Sequence, residues 1–532
     1  MKTLPICMVC LILVTGIVAI IHAAEVEIVP DDRQQGEWFA FSVSISEDIA
    51  IAGAPFKGGK GAAYIAVFDK GNWREQVKLV AADLAAENWF GFSVSISEGT
   101  AIIGAPLHSV GDVKWTGAAY IFGRRDQSKK EWEEKAKLVA DDAVEKAEFG
   151  HSVAISGNTA IVGAYLDTHE GGEKAGSAYI FAIEKKEWTQ QAKLTADDAE
   201  AGDNFGKSVA IHKNTVIVGA HLDDDGGSKS GSAYVFVRDG NTWTQQSKLT
   251  ASDAAARDEF GTSVSISGST AIVGSPFDDD AGSKSGSAYI FGNNGGVWTE
   301  RAKLTASDAA AGDGFGNAVA VDMNRAIVGA RLHDGRKPDS GAVYAFSRVA
   351  GAWGEQSKTV HKRDAEADEF GNAVAISEDF AIIGAYRRNL PDKGGMCCDL
   401  GVDGGSAYIF HTAEDLNAPL SVEPSILRAT TLGHVKRSAL FQNFPNPFNP
   451  ETWIPYTLAR DASVNIRIYD IQGQLVRQMG LGQQPVGNYL TRESAAYWDG
   501  KDQLGEAVSS GVYFYTLKAA AFQATRRMVI LK

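Results

Sequence analysis

Two near-copies, HLDDDGGSKSGSAYVF from His221 and PFDDDAGSKSGSAYIF from Pro276, each set three consecutive aspartates in a loop rich in glycine and serine, followed by a compact apolar segment. Carboxylates at that density are ligands for hard cations, which need six or more oxygens. Asp223, Asp225, Asp278 and Asp280 are therefore the candidate metal ligands, and calcium is the cation they would take, although no motif in the chain requires a cofactor. Asp224 and Asp279 have a second use. Drawn together across a pocket at about 5 to 10 Å, two such acids could act as the acid and base of glycoside hydrolysis. Because the whole arrangement is duplicated, it speaks for architecture before chemistry.

Three histidines reach the same class of loop, His108, His221 and His333, with Asp112, Asp223 and Asp334 nearby in sequence. Solvated side chains facing a ligand are the expectation for them, ahead of a metal site. The longest such loop, YRRNLPDKGGMCCDLGVDGG from Tyr386, brings Arg387 and Arg388 and breaks the pattern of its relatives. Long irregular loops on a rigid scaffold are often where binding resides. Zinc-protease helices, nucleophile elbows, phosphate-binding loops and C-x-x-C pairs are missing from the sequence after residue 23. A non-enzymatic binding role is the expectation that follows, with an extracellular polysaccharide hydrolase or lyase and a structural surface-layer component as the alternatives.

The elements that position these loops repeat. FAFSVSIS, FGFSVSIS, FGHSVAIS, FGKSVAIH, FGTSVSIS, FGNAVAVD and FGNAVAIS begin at Phe39, Phe90, Phe149, Phe205, Phe260, Phe315 and Phe370, at spacings of 51, 59, 56, 55, 55 and 55 residues. That period suits a four-stranded propeller blade. The first strand alternates Val or Ile with Ser, the second (TAIVGS) is continuously apolar, the third (GSAYIF) is aromatic, and the fourth (WTERAKLT) is polar. Lysine on the fourth strand suits an outer edge that must not pair with another molecule.

Tryptophan marks only six fourth strands, Trp73, Trp132, Trp188, Trp243, Trp298 and Trp353. Acids recur seven and two residues before the phenylalanine, as Asp253 and Asp258, and Asp32 and Glu37 hold those offsets before Phe39. The segment near Glu25–Val29 is thus expected to supply the missing outer strand and close the ring. The offset acids are expected to cap turns.

In such a blade, the loops from strand two to three share a face with the loops from strand four to the next blade. Both classes are acidic here, so one acidic face is the expected ligand-binding surface.

The FG, GA and GSAYIF motifs resemble the FG-GAP repeats of the seven-bladed β-propeller in integrin α chains and many bacterial surface proteins. The resemblance covers about Val26 to Phe410 and implies ligand binding by that same loop face. The family's calcium loop lies between the FG and GAP segments, where this chain has only short turns such as SGNT and HKNT.

After a mixed polar linker come NFPNPFNP from Asn443, YDIQGQLV from Tyr469, WDGKDQLGE from Trp498 and SGVYFYTL from Ser510. Turn-punctuated strands over this length imply a small β-sandwich. These motifs look like the C-terminal sorting domains of type IX secretion and the immunoglobulin-like domain of flagellar hook-capping proteins, which implies a partnership with secretion machinery.

The expected fold is all-β. Residues 1–23 read as a signal peptide, 25–411 as a seven-bladed propeller, 412–438 as linker and 439–532 as an immunoglobulin-like domain. The apolar run behind Lys2 and the small residues Ala23 and Ala24 carry the first of these, so the chain is expected to be secreted or held at a bacterial surface, without a membrane span after cleavage. Cys397 and Cys398, the two cysteines beyond the leader, are adjacent and cannot staple distant segments. They would stabilise their loop as a strained pair or stay reduced. A formal charge of −15 argues against nucleic acid, leaving an extracellular protein or glycan as the expected ligand of a monomer.

Overall fold

The computed structural model describes residues 26–388, 404–411 and 438–530, except 441–442, 444–450, 490–494, 362–366, 125–130, 378–379 and residues 70, 336, 350, 486, 504 and 521. The leader, Cys397 and Cys398, and nearly all of the linker lie outside the described residues. The chain divides into two compact units, Met1–Val422 and Glu423–Lys532. No helix among the described residues is long and apolar enough to cross a membrane.

The first unit holds seven four-stranded sheets in chain order. Blade 4 illustrates the rule, with Phe205–His212, Thr215–Ala220, Ser232–Asp239 and Thr242–Leu249 pairing antiparallel in sequence. First strands of successive sheets pack against one another, and that of blade 1, Val43–Ser46, also meets that of blade 7, Ala373–Ile376. They therefore encircle the axis, and fourth strands lie outside. Blade 7 is completed by Val26–Ile28, which pairs with Ser406–His411 as Val26 to Ile409, Glu27 to Tyr408 and Ile28 to Ala407. The ring thus closes through the strand expected near Glu25–Val29.

The repeated residues explain how blades fit together. Each second strand is apolar throughout because it is covered on both faces, as in Thr270–Ser275. Its glycine meets the next blade directly. A Cβ on Gly53 would lie 1.9 Å from the Gly91 carbonyl oxygen, so only hydrogen fits. Phe90 is fully buried, stacks edge-on against Tyr120, and donates its N–H to the Lys60 carbonyl of the preceding blade at 3.1 Å.

An innermost strand would leave one row of backbone donors unpaired. The alternating serines answer that need. The Ser42 and Ser44 hydroxyls accept the Val94 and Ile96 N–H groups, and Ser152 accepts that of Val209.

In the second unit, a four-stranded sheet runs Leu475–Gln484, Ala462–Tyr469, Gly511–Ala519, Phe522–Ile530. Its apolar face shares one core with Leu440, Ile454, Tyr456 and Trp498 from shorter strands, and Val464, Ile466, Tyr515, Leu517 and Met528 fill it. The turn in YDIQGQLV is set by Asp470, whose Oδ1 accepts the N–H groups of Gln472 and Gln474.

Candidate ligand-binding face

The third strand of each blade buries one tyrosine, and its hydroxyl organises the charged residues around it. In blade 5 the Tyr289 hydroxyl donates to Asp278 at 2.7 Å or to Asp253 at 2.8 Å. Lys303, opposite Tyr289 on the fourth strand, sends its ammonium to Asp253 at 2.7 Å, to Asp278 at 2.9 Å and to Asp280. Blade 4 repeats this with Tyr234, Asp198, Asp223, Asp225 and Lys248. Burial works against the charge of Lys248, but its bonds to Asp198, Asp225 and Asp223 prevail and raise its pKa.

This geometry answers the question of the three aspartates. Carboxylate oxygens of Asp198, Asp223 and Asp225, and of Asp253, Asp278 and Asp280, converge to within 4.8 Å of one another. The lysine ammonium already stands among them, so a metal ion would have to displace it. Fourth-strand lysines therefore do not serve to guard an edge, as the sequence reading has it. They fold back and neutralise the loop acids, and the face is correspondingly less negative than composition alone implies. The acids at offset seven, expected to cap turns as well, instead bond tyrosine and lysine, as Asp253 and Asp308 do, whereas those at offset two do cap turns. The Asp203, Asp258 and Asp313 carboxylates accept the N–H of Glu200, Ala255 and Ala310 at 2.7 to 2.9 Å.

Superposing the seven repeats in register places Lys57, His108, Asp167, Asp223, Asp278, His333 and Arg388 at one interior position, three residues past the GA or GS pair. His108 and His333 are thus not solvated, as the sequence reading expected. Each is 6% exposed. Their Nδ1 atoms meet Asn88 Oδ1 and Asp313 Oδ2, and their Nε2 atoms lie 2.8 Å from Lys137 Nζ and 2.6 Å from Lys358 Nζ. An ammonium at that distance needs an acceptor, so Nε2 carries the lone pair. Asp112 and Asp334 remain exposed on their loops. Arg388 is likewise turned inward, bonded to Asp368 at 2.7 Å, and is not ligand-facing.

Asp224 and Asp279 stay at the exposed loop tips. Arg387 reaches the axial rim and pairs with Glu369 at 3.3 Å. His221 also belongs to the rim, but buried: it is 9% exposed, not solvated. Burial first, then Lys207 and His151, push its pKa down to about 3. Among the described residues its Nδ1 has no hydrogen-bond partner.

The rim holds what the sequence reading missed. Around the starts of the first strands, eight rings form a continuous arc over blades 7, 1, 2 and 3. Tyr386 meets Trp38 and Phe41, and Trp38 meets Phe56 at 4.5 Å. Phe56 meets Trp89, which stacks on Phe92 at 5.9 Å and 14°; Phe92 meets His151 at 4.9 Å and His151 meets Tyr165 at 4.3 Å. Trp38, Phe41, Phe56, Trp89, Phe92 and Tyr165 are half-buried, whereas Tyr386 and the His151 side chain lie deeper. Lys207 ends the arc, with its ammonium 4.7 Å from the Tyr165 ring centre and 3.2 Å from His151 Nε2. Burial lowers the pKa of both, that of His151 to about 4. The available signal was divergence at fixed repeat positions. The residue two after each phenylalanine reads Phe41, Phe92, His151, Lys207, Thr262, Asn317, Asn372, so rings cluster in consecutive blades while the scaffold stays constant.

No curated protein matches the chain. Among solved structures, that of a putative 6-phosphogluconolactonase from Bacteroides uniformis is similar at 12% identity and a TM-score of 0.40, covering 60% of this chain and 85% of that one. A likeness so slight carries no argument. The FlgD Ig-like domain matches residues 451–524. The FG-GAP repeat matches residues 23–68, 73–122, 132–181, 188–236, 243–291, 298–346 and 353–410. With seven such matches over most of its length, the chain belongs to the FG-GAP repeat family.

Proposed function

We propose that this chain is an exported, non-enzymatic binding protein of a bacterial surface, whose propeller takes an extracellular protein or glycan ligand at its axial rim. The observation that carries the reading is the aromatic arc from Tyr386 to Tyr165, most of whose rings keep part of their surface open. Rigid aromatic faces beside a few fixed polar groups are the usual makeup of a binding site. The loop acids support the non-enzymatic part: Asp223 and Asp278 are spent on tyrosine and lysine, and Asp224 and Asp279 stand on exposed loop tips of separate blades, without the enclosing pocket that an acid and base pair would use. The immunoglobulin-like domain serves export or surface attachment, in the manner of a type IX sorting domain.

Binding is tested by presenting the intact chain to arrays of extracellular proteins and glycans, alongside turnover assays on the same polysaccharides. Saturable binding without turnover is expected. Turnover without a stable complex would sink the reading. Export is tested by N-terminal sequencing of protein recovered from the medium, expected to start at residue 24 or 25.

A further inference from the structure

The residue before each repeat phenylalanine is left-handed in every blade: Trp38, Trp89, Glu148, Asn204, Glu259, Gly314 and Glu369 have φ of 54, 57, 53, 59, 52, 63 and 52°. The scaffold demands that conformation. Glycine and asparagine adopt it at little cost, as Gly314 and Asn204 do, whereas a bulky side chain there is strained by about 1 to 2 kcal/mol. Tryptophan, a bulky side chain, is poorly suited to the position, yet it occupies it in two adjacent blades. Each lies parallel to the phenylalanine three residues on, Trp38 with Phe41 at 24° and Trp89 with Phe92 at 14°. Folding does not call for these rings, and strain kept against the demands of the fold points to function.

Charge decides what they would hold. On the rim the charges answer one another: Lys207 stands near Glu148 and Glu259, and Glu259 also feels Lys229 and Lys284. Arg331 and Arg387 both pair with Glu369, at 3.6 and 3.3 Å. A charged ligand would have to compete with these pairings, which a neutral one leaves in place. Next to the arc lie His151 and His221, both held neutral near pH 7 by burial. Among the described residues His221 Nδ1 is buried and unpartnered, and such a group gains most from a ligand that can donate or accept at will. A hydroxyl does both.

Resting on the binding role above, we infer that the axial rim takes a neutral saccharide. The C–H faces of its rings lie on Trp38, Trp89 and their neighbours, and hydroxyls reach His221 and the charged side chains opposite. A protein ligand would draw on the same rings but would not by itself require the paired charges or the neutral imidazoles.

The test uses the intact chain titrated with cellohexaose, mannohexaose and chitohexaose, with hexagalacturonate as the charged comparator. Trp38→Asn/Trp89→Asn removes both rings while relaxing the left-handed backbone, with a cooperative melt above the assay temperature confirming its fold, and Asp224→Asn/Asp279→Asn on the loop tips serves as the control. At least one neutral hexasaccharide should bind saturably with a shift in tryptophan emission. The tryptophan variant should bind it about tenfold more weakly, and the aspartate variant unchanged. Three results overturn the inference: no neutral sugar bound, binding untouched by the tryptophan variant, or preference for the galacturonate. If no sugar binds but a protein ligand does, and the tryptophan variant loses it, the saccharide inference fails while the rim-binding role stands.

Discussion

Glu27 stands opposite Tyr408 in the closing blade, at the register where Lys78, Lys137, Lys193, Lys248, Lys303 and Lys358 face the tyrosines of the other six. The sign of the partner is exchanged as well, because Arg388 occupies the interior position that holds Asp223 in blade 4. The Tyr408 hydroxyl bonds Glu27 at 3.3 Å, and Glu27 is among the charges that raise the Arg388 pKa. The strand that closes the ring thus carries a complementary charge of its own.

Glu27→Lys should set an ammonium beside Arg388 and lower the melting temperature, and Arg388→Asp should do the same by setting a third carboxylate beside Asp368 and Glu27 in place of the guanidinium. The double variant recreates the blade 4 arrangement and should recover part of the loss, with a coupling of about 1 to 2 kcal/mol. Strictly additive melting data would refute the exchange.

Lys248 supplies the positive charge among Asp198, Asp223 and Asp225. Lys248→Ala should destabilise by about 2 to 4 kcal/mol, since Asp223 stays buried. Calcium should then raise the variant's melting temperature while leaving the parent unmoved. A parent that gains stability in millimolar calcium would show that the ion can displace the lysine.

Asp203 is buried, and its pKa is pushed up to about 6, first by burial and then by Asp223 and Asp224, against the pull of the Glu200 N–H. An acid raised above its unfolded value near ~3.9 binds more protons when folded. Its contribution is full below about pH 4 and is lost as pH rises through about 6. Asp203→Asn should therefore stabilise by about 1 to 2 kcal/mol near neutral pH and by nothing near pH 4. The turn should survive, because Asn88 caps its counterpart in blade 2 at 2.8 Å. Urea melts at both pH values would decide it, and an equal gain at each would contradict the shift.

Ala40 occupies the place of the repeat glycine with φ of 65°, where Gly91, Gly150, Gly206, Gly261, Gly316 and Gly371 lie between 90 and 93°. Ala40→Gly should stabilise by about 0.5 to 1 kcal/mol. Gly53→Ala should cost several times that, because its Cβ meets a backbone carbonyl that cannot move without shifting the neighbouring blade. Thermal melts of the two variants should move in opposite directions.

How far the sequence could be read follows from what repeats. Strand order, the outer strand from Val26–Ile28 and the capping acids are periodic features, and a period can be seen in one dimension because each blade solves the same packing problem. Histidine burial could not be read, since His108 and His333 look like polar loop residues until the loop folds over its own tyrosine. Nor could the partners of Asp223 and Asp225, because Lys248 is more than twenty residues away on a strand that sequence assigns to the exterior.

By itself, then, the amino-acid sequence determined the number of blades, the order of their strands and the means of closing the ring, because backbone pairing and apolar burial leave a signature at fixed intervals. Only the tertiary structure decided which charges remain available and which rings meet. Trp38, Phe56, Trp89 and His151 belong to three different blades and come together only when the ring of first strands brings their starts around one axis. Contacts that depend on how one repeat differs from the next, unlike those every repeat shares, leave no interval to read.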